Sequence, residues 1–571
     1  MKIAKKLAAV LLASLMIVSF SACGKKGGAV DNYIDIHINT EVTSLDPQEA
    51  TDGTSFGVQS QLIEGLTGLD KDGNTEGLMA EGWSVSEDNL TWTFNIRKDA
   101  FWTNGDPVTA QDFVDAFQTL VDPVYNSEYA YMGYSIMQIK GSNDVFNGVA
   151  DKSALGVRAV DEKTFEVTLE YPCPFMLSLT CFNSFYPRNQ KFIDSCGENY
   201  GTSPETFIGC GPFKLVEYEP STETIVLDKN ETYYNADKVK LDGLRYHVIK
   251  DAQSAILAYE NNELDYAVID GSLVETYKDN PEFQVLYGSY LWFLSVNMGN
   301  EHTFKGTNPN TGYLRNLNLR KALMRAYDRE AVANNVVKDG SIAADYVYPK
   351  GLASAPDGRD VREYVDAKTV YADCLYNKEE AYKLYEAAAA ELGVTDFDFE
   401  LVVEDNQQAQ DVAAFIQGQF NETFQGHVKV HLKVETKKAR LADMNAGNFE
   451  IGLTRWGPDY ADPMTYTDLW SSFNAQVYDD GTKVLGGGWN VVAPELSAEY
   501  DKKVAACKDG SLSIQERWDT MMECEKIIME NAVILPVYQK NDASLIKANV
   551  KGIEFHAIGM PTVYRNAYIE K

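Results

Sequence analysis

Alternation of apolar and polar residues marks several strands in this chain. Ile34, Ile36 and Ile38 alternate with polar neighbours, as do Trp92, Phe94 and Ile96, then Phe165, Val167 and Leu169. Val428, Val430, Leu432 and Val434 repeat the pattern, and further strands are predicted at 213–217 and 223–228, after Gly211 and Pro212. Helical spacing appears where Thr109 and Asp112 form a capping pattern ahead of Phe113, Ala116, Phe117 and Leu120. Residues 55–65, 320–332, 378–392 and 411–423 also read as helices; the last carries Val412, Phe415, Ile416 and Phe420 on one face. Ser513 and Glu516 form a capping box for a helix running to about Asn531. Turns are expected at 41–47 and 70–73. Strands and helices mix without strict alternation, which predicts an α/β chain of mixed α+β lobes, and no fixed repeat is present.

The 571 residues exceed what one core holds, since cores stop growing near ~250–300 residues, so two or more lobes are expected. Hydrophobic residues at 45% and aromatics at 12% mark a folded protein. A formal charge of -33 argues against nucleic-acid binding, which needs clustered Lys and Arg. Lys2, Lys5 and Lys6 precede an apolar run from Leu7 to Phe20, then Ser21, Ala22 and Cys23. This start resembles a bacterial lipoprotein signal: residues 1–22 would be removed, Cys23 would be lipidated, and about 23–30 would be a flexible tether. Plain secretion with an unmodified Cys23 is the alternative. No later stretch is long and apolar enough to span a bilayer. Beyond Cys23 there are seven cysteines, an odd number, with no C-x-x-C spacing. Buried free thiols are the default expectation; a Cys173–Cys210 or Cys181–Cys196 bridge is the alternative, and the spacing does not rank the two.

Several motifs imitate chemistry. Gly53, Ser55 and Gly57 fit the G-x-S-x-G pattern of serine hydrolases, but residues 45–52 do not make the buried strand that motif requires. Asp70, Asp72, Asn74 and Glu81 imitate a Ca²⁺ loop, with Thr75 where its glycine belongs; a solvated hairpin is the expectation. His427 and His431 have the spacing of helical metal ligands but fall on a strand, where four residues span about 13 Å. Lys437, Lys438 and Arg440 form a small basic cluster, read as a solvated face, with a ligand carboxylate as the alternative partner.

One strand exit stands out. Phe449, Ile451 and Leu453 alternate with Glu450, Gly452 and Thr454, and the strand then meets Trp456, Gly457, Pro458, Asp459 and Tyr460. An aromatic wall, a bare backbone and an acid on one loop suit a cationic, partly apolar small molecule.

Residues 41–47 (EVTSLDP), 62–66 (LIEGL), 90–115 (LTWTFNIRKDAFWTNGDPVTAQDFVD), 155–169, 211–215 (GPFKL), 319–332, 455–463 (RWGPDYADP) and 534–538 (ILPVY) together resemble the extracellular solute-binding proteins of ABC importers. The likeness is to the family that includes the oligopeptide- and dipeptide-binding proteins. It implies a periplasmic-binding-protein-like two-lobed clamp with a hinged interlobe cleft. Lobe I would combine 31–63, 208–289 and 536–571, an extra domain at 64–207 would be inserted into it, and lobe II would be 290–535. The implied partners are a peptide ligand and the permease and ATPase subunits in the membrane. No catalysis, cofactor or metal is implied, and the protein would be a monomer. By the same resemblance Asp459 would pair with the peptide ammonium, beside Trp456, Gly457 and Tyr460. Tyr129 would contact ligand, and Thr51, Asp52, Gly53 and Thr54 would line the amino-terminal end. Relatives place cations near the ligand carboxylate, but Ala409, Met444 and Leu453 stand there in this chain. The same fold binding an amine, a sugar, a metal chelate or a signalling peptide is the alternative, and a secreted hydrolase using Ser55 the more distant one.

Overall fold

The computed structural model describes residues 32–571 except 72, 270, 300–310, 473–475, 478–482, 485–486, 557 and 559–561. The proposed signal, lipidation site Cys23 and tether therefore lie outside the described residues. Among the described residues, no helix is long and apolar enough to cross a membrane.

The alternating Tyr33–Ile38 segment is a strand, with Ile34 and Ile36 buried. It lies parallel to Gly243–Val248 and bridges to Tyr266–Ile269. Thr224–Lys229 and Phe213–Glu217 extend this side antiparallel to the edge. At the opposite end, Phe397–Glu404 runs parallel to both Val428–Glu435 and Ile451–Trp456. Each half of the mixed α/β fold thus has its own parallel strands, with helices such as Gln407–Thr423 following them.

Two long antiparallel strands, Phe283–Val296 and Ile534–Ile546, join the halves into one eleven-stranded sheet. Phe283–Leu286 pairs with the end of Ile534–Ile546 that also pairs with Tyr266–Ile269. Beyond a register break between Leu286 and Tyr290, the same strand pairs with Ile451–Trp456. The expected lobe limits, 289/290 and 535/536, fall inside these two strands.

At the break, the Gly288 N–H donates to Asn541 Oδ1 at 3.0 Å, and Asn541 Nδ2 donates to the Gly340 carbonyl at 2.9 Å. Gln539 donates to the carbonyls of Gly288 and Lys350. Both amides are fully buried, so these bonds satisfy backbone that the irregular ladder leaves behind.

A separate four-stranded antiparallel sheet, ordered Ala80–Val85, Thr91–Ile96, Thr164–Thr168 and Val157–Asp161, occupies the early part of the chain. The helix Ala110–Val121 lies on it. Its capping box between Thr109 and Asp112 is formed, and Phe113, Ala116, Phe117 and Leu120 are all buried. Phe117 meets Phe165 of the sheet edge-on at 5.1 Å.

One expectation needs correction, and one open choice is resolved. The helix predicted over 320–332 is interrupted: Leu317–Arg325 ends, Asp328 caps a short turn at Arg329–Ala331, and Val332–Val337 widens into a π-turn. The Asp328 side chain accepts the Ala331 N–H and so starts a new helical segment inside the apolar period. For the cysteines the default holds and neither alternative bridge forms: the seven described cysteines are free thiols, six of them buried. The Cys181 and Cys210 thiols donate instead to the carbonyls of Leu177 and Glu64.

Gly288 has no room for a side chain, because a Cβ there would sit 2.3 Å from the Lys540 carbonyl oxygen. Gly288→Ala is expected to lower the urea midpoint, at the ~1–3 kcal/mol scale of overpacking. A far smaller loss in urea melts would show that the strand pair gives way freely at this point.

Candidate ligand-binding site

The strand Ile451–Trp456 delivers the loop that the sequence singles out, with Ile451 and Leu453 fully buried to anchor it. Gly457 follows because the Tyr290 ring covers its backbone; a Cβ would lie 2.3 Å from that ring. Behind the loop, the Tyr466 hydroxyl lies 2.5 Å from the Ser289 carbonyl and 3.1 Å from that of Trp456. Asp462 receives the Arg517 guanidinium through two bonds of 2.8 Å, both side chains being buried. It also accepts the Met464 N–H at the start of the helix Met464–Thr467. The Asp459 N–H donates to Thr465 Oγ1 at 3.1 Å. Asp459 is therefore held from both sides by groups with little freedom to move.

Its carboxyl faces a cavity of about 430 Å³ lined also by Tyr131, Tyr134, Trp456, Thr465 and Leu469. Burial pushes the Asp459 pKa up to about 6, only partly countered by a hydrogen bond from the Tyr131 hydroxyl. Burial and the Asp459 charge in turn raise the pKa of Tyr131. Among the described residues no cation offsets the carboxylate. An acid in an aromatic cavity without a counter-ion is a receptor for a positive charge.

The expected site residues sort as follows. Trp456 and Asp459 share the cavity. Tyr460 also borders it, but its ring is buried flat against Phe175 at 4.6 Å, so it braces the loop more than it walls the cavity. Tyr129 stacks on Tyr131 at 5.8 Å and contacts Phe182 and Phe56. Phe56 belongs to the helix Gly53–Leu62, whose N-cap is Asp52. The Tyr129 pKa, raised first by burial, is raised further by both Asp459 and Asp52, which places Tyr129 near both. Gly53 and Thr54 line a different cavity of about 270 Å³ with Ile38, Asn39, Tyr266 and Asp542. Thr51 is exposed beside them.

Tyr131, Tyr134 and Tyr290 escaped the sequence reading. The signal for the first two was the tyrosine cluster around Tyr129; Met132–Ile136 winds as a π-turn, a form frequent at functional sites. Tyr290 carries no local signal.

The imitated motifs resolve differently. Ser55 sits in the first turn of a helix, with its hydroxyl 2.7 Å from Asp52 and its oxygen accepting the Thr43 N–H, not on a strained strand-to-helix elbow. Asp70 accepts the Asn74 N–H inside a hairpin. His427 and His431 pair separately with Asp396 and Asp398. Among the described residues no group of three or more His, Cys, Asp or Glu could hold a metal. Ala409 and Leu453 are fully buried, Met444 packs on Gly452, and none of them lines the Asp459 cavity.

Residues 74–476 match the family model described as bacterial extracellular solute-binding proteins, family 5 Middle. The chain belongs to this family of extracellular solute-binding proteins. It is 30% identical to the dipeptide-binding protein DppE of Bacillus subtilis, over 93% of this chain and 90% of that protein. Among solved structures it is similar to the substrate-binding domain of an oligopeptide ABC transporter from Bacillus anthracis, with TM-score 0.73, 31% identity and coverage of 95% and 99%. OppA of Listeria monocytogenes bound to peptide gives TM-score 0.72 at 29% identity, covering 95% of this chain and 100% of that one.

The Asp459 carboxyl is less acidic folded than unfolded, rising from 3.8 to about 6. Its charge thus costs stability in full above about pH 6, and that cost disappears as pH falls towards the ordinary value. Asp459→Asn is expected to raise the melting temperature at pH 7.5 by about 1 °C or more, with the gain shrinking between pH 6 and 4. Scanning calorimetry across that range checks it; a drop at pH 7.5 would mean the carboxylate has a stabilising partner.

Proposed function

We propose that this chain is the extracytoplasmic solute-binding subunit of an ABC importer, which captures peptides between its lobes and delivers them to a membrane permease. The observation that carries the reading is the uncompensated Asp459 carboxylate in an aromatic cavity. A peptide ammonium supplies the missing charge, and Tyr131 and Trp456 cover it. The peptide-bound relative from Listeria supports the ligand class. Main-chain pairing would hold the ligand, giving tolerance to peptide sequence.

In this reading lobe I comprises 31–63, 208–289 and 536–571, with 64–207 inserted and 290–535 as lobe II. The strands Phe283–Val296 and Ile534–Ile546 carry the chain between lobes, and closure bends them near Gly288. Tyr129 and Asp52 would face the same end of the cleft as Asp459, while Gly53 and Thr54 would line the neighbouring cavity. Residue 178 already reaches lobe II: Ser178 Oγ accepts the Ala461 N–H at 2.9 Å. The subunit binds without catalysis and acts as a monomer. The run before Cys23 supports a lipid anchor that keeps it beside its permease.

Calorimetric titration with short peptides tests the ligand. Free-amine peptides are expected to bind and N-acetylated ones to fail. Asp459→Ala should weaken binding about 30-fold or more, the lower end of the ~2–5 kcal/mol lost when one partner of a buried charged pair is truncated. Affinity should also decline as pH drops below about 6, where Asp459 takes up a proton. Tight binding of acetylated peptides would remove the role given to Asp459. For the anchor, Cys23→Ala should release the protein from the membrane fraction into the medium; retention on the membrane would refute lipidation at that residue.

A further inference from the structure

The basic cluster seen in the sequence divides in the structure. Lys437 and Lys438 are exposed, whereas Arg440 is buried with its guanidinium 3.3 Å from Glu404 and 2.8 Å from Thr454 Oγ1. Arg455 reaches the same Glu404 oxygen at 2.9 Å. Two guanidiniums therefore share one carboxylate. Burial works to raise the Glu404 pKa, but Arg455 and Arg440 hold it below its ordinary value. Among the described residues, one positive charge of the trio has no carboxylate partner, and Arg440 Nε is buried with no acceptor. The neighbouring ion pair, Lys540 with Asp339, is already matched.

The location is informative. Glu404 ends the strand Phe397–Glu404, and Arg455 lies at the end of Ile451–Trp456. Carboxyl ends of parallel strands are where open α/β sheets bind ligands. The ladder between these strands stops at Val402 and Gly452, so from Leu453 onward the edge facing Phe397–Glu404 has no ladder partner among the described residues, while the other edge stays paired with Phe283–Val296. An extended ligand can add there. The Arg455 guanidinium, about a quarter exposed, lies over the Trp292 ring at 4.7 Å and is the accessible member of the trio. Tyr290 stands between the two ends of this edge: Arg455 lowers its pKa and Asp459 raises it, against a larger upward effect of burial.

We propose that Arg455, seated on Glu404 and beside Arg440, holds the C-terminal carboxylate of the bound peptide. Asp459 and Arg455 then mark the two ends of the ligand. Arg455 lies near the end of its strand and Asp459 four positions on, past Gly457 and Pro458, so their Cα atoms are at most about 13 Å apart, which suits a short ligand of three or four residues at ~3.4 Å each. The inference rests on Asp459 as the ammonium anchor. It gives the chain a cation for the ligand carboxylate at a place different from Ala409, Met444 and Leu453, where relatives carry theirs.

The test uses peptides of two to six alanines, each with a free or amidated C-terminus and a free or acetylated N-terminus. They are titrated into the wild type, Arg455→Met and Arg455→Lys. In the wild type, tri- and tetrapeptides should bind about 10-fold or more tighter as free acids than as amides, the advantage of a charge-assisted pair. Arg455→Met should erase that preference while leaving amide binding and sensitivity to acetylation in place. Arg455→Lys should keep part of it, and serves as the readout if the methionine variant fails to fold. Equal binding of acids and amides by the wild type, or a preference that survives Arg455→Met, overturns the proposal. With acetylation still blocking binding, that result leaves the Asp459 reading standing. Indifference to acetylation removes the Asp459 reading itself and this inference with it. A carboxylate preference that peaks at six residues overturns the stated length.

Discussion

A buried carboxylate without a counter-ion is costly, and much of the surrounding structure serves to keep Asp459 in that state. A flexible loop would turn the acid out to water and recover its hydration. Here the loop cannot turn. The Asp462–Arg517 pair, the Thr465 hydroxyl and the Tyr466 hydroxyl fix its backbone, and Tyr290 closes over Gly457. The strand that carries Tyr290 is one of the two that join the lobes. The acid's loop is thus covered by a strand that pairs with both halves of the large sheet, which links the site to the sheet through one covalent segment.

Local patterns gave the local structure. Alternation located Tyr33–Ile38 and Val428–Glu435, helical spacing located Lys378–Leu392, and the capping boxes at Thr109 and Ser513 are formed. The interruption at Asp328 was hidden because an N-cap within a continuing apolar period changes no residue on the buried face. In the site, Trp456 and Asp459 were legible because a strand exit places them side by side in sequence. Tyr131, which lines the cavity, and Tyr290, which covers Gly457, were not, since they come from segments more than 150 residues away along the chain. Sharing of Glu404 by Arg440 and Arg455 was invisible for the same reason. The sequence shows a basic cluster, but only folding decides which of its members is buried and against what.

The segment that follows the four-stranded sheet also reaches the Asp459 loop. It brings Phe175 onto Tyr460 and Ser178 onto Ala461, two contacts on neighbouring residues of that loop. Arg517 lies over Phe175 at 5.4 Å while holding Asp462, which ties this contact to the brace of the loop. Membership in the extracellular solute-binding family agrees with an architecture in which distant segments converge on one small cavity.

The thiols carry a different lesson. Burial pushes Cys173 and Cys181 up to about 12, so almost no thiolate exists at neutral pH. Thiolate is the species that attacks disulfides and oxidants, and these sulfurs are thereby chemically silent. Among the described cysteines no covalent cross-link contributes to the folded state. Packing and hydrogen bonds, such as those of the Cys181 and Cys210 thiols to backbone carbonyls, do there what a cross-link would otherwise do.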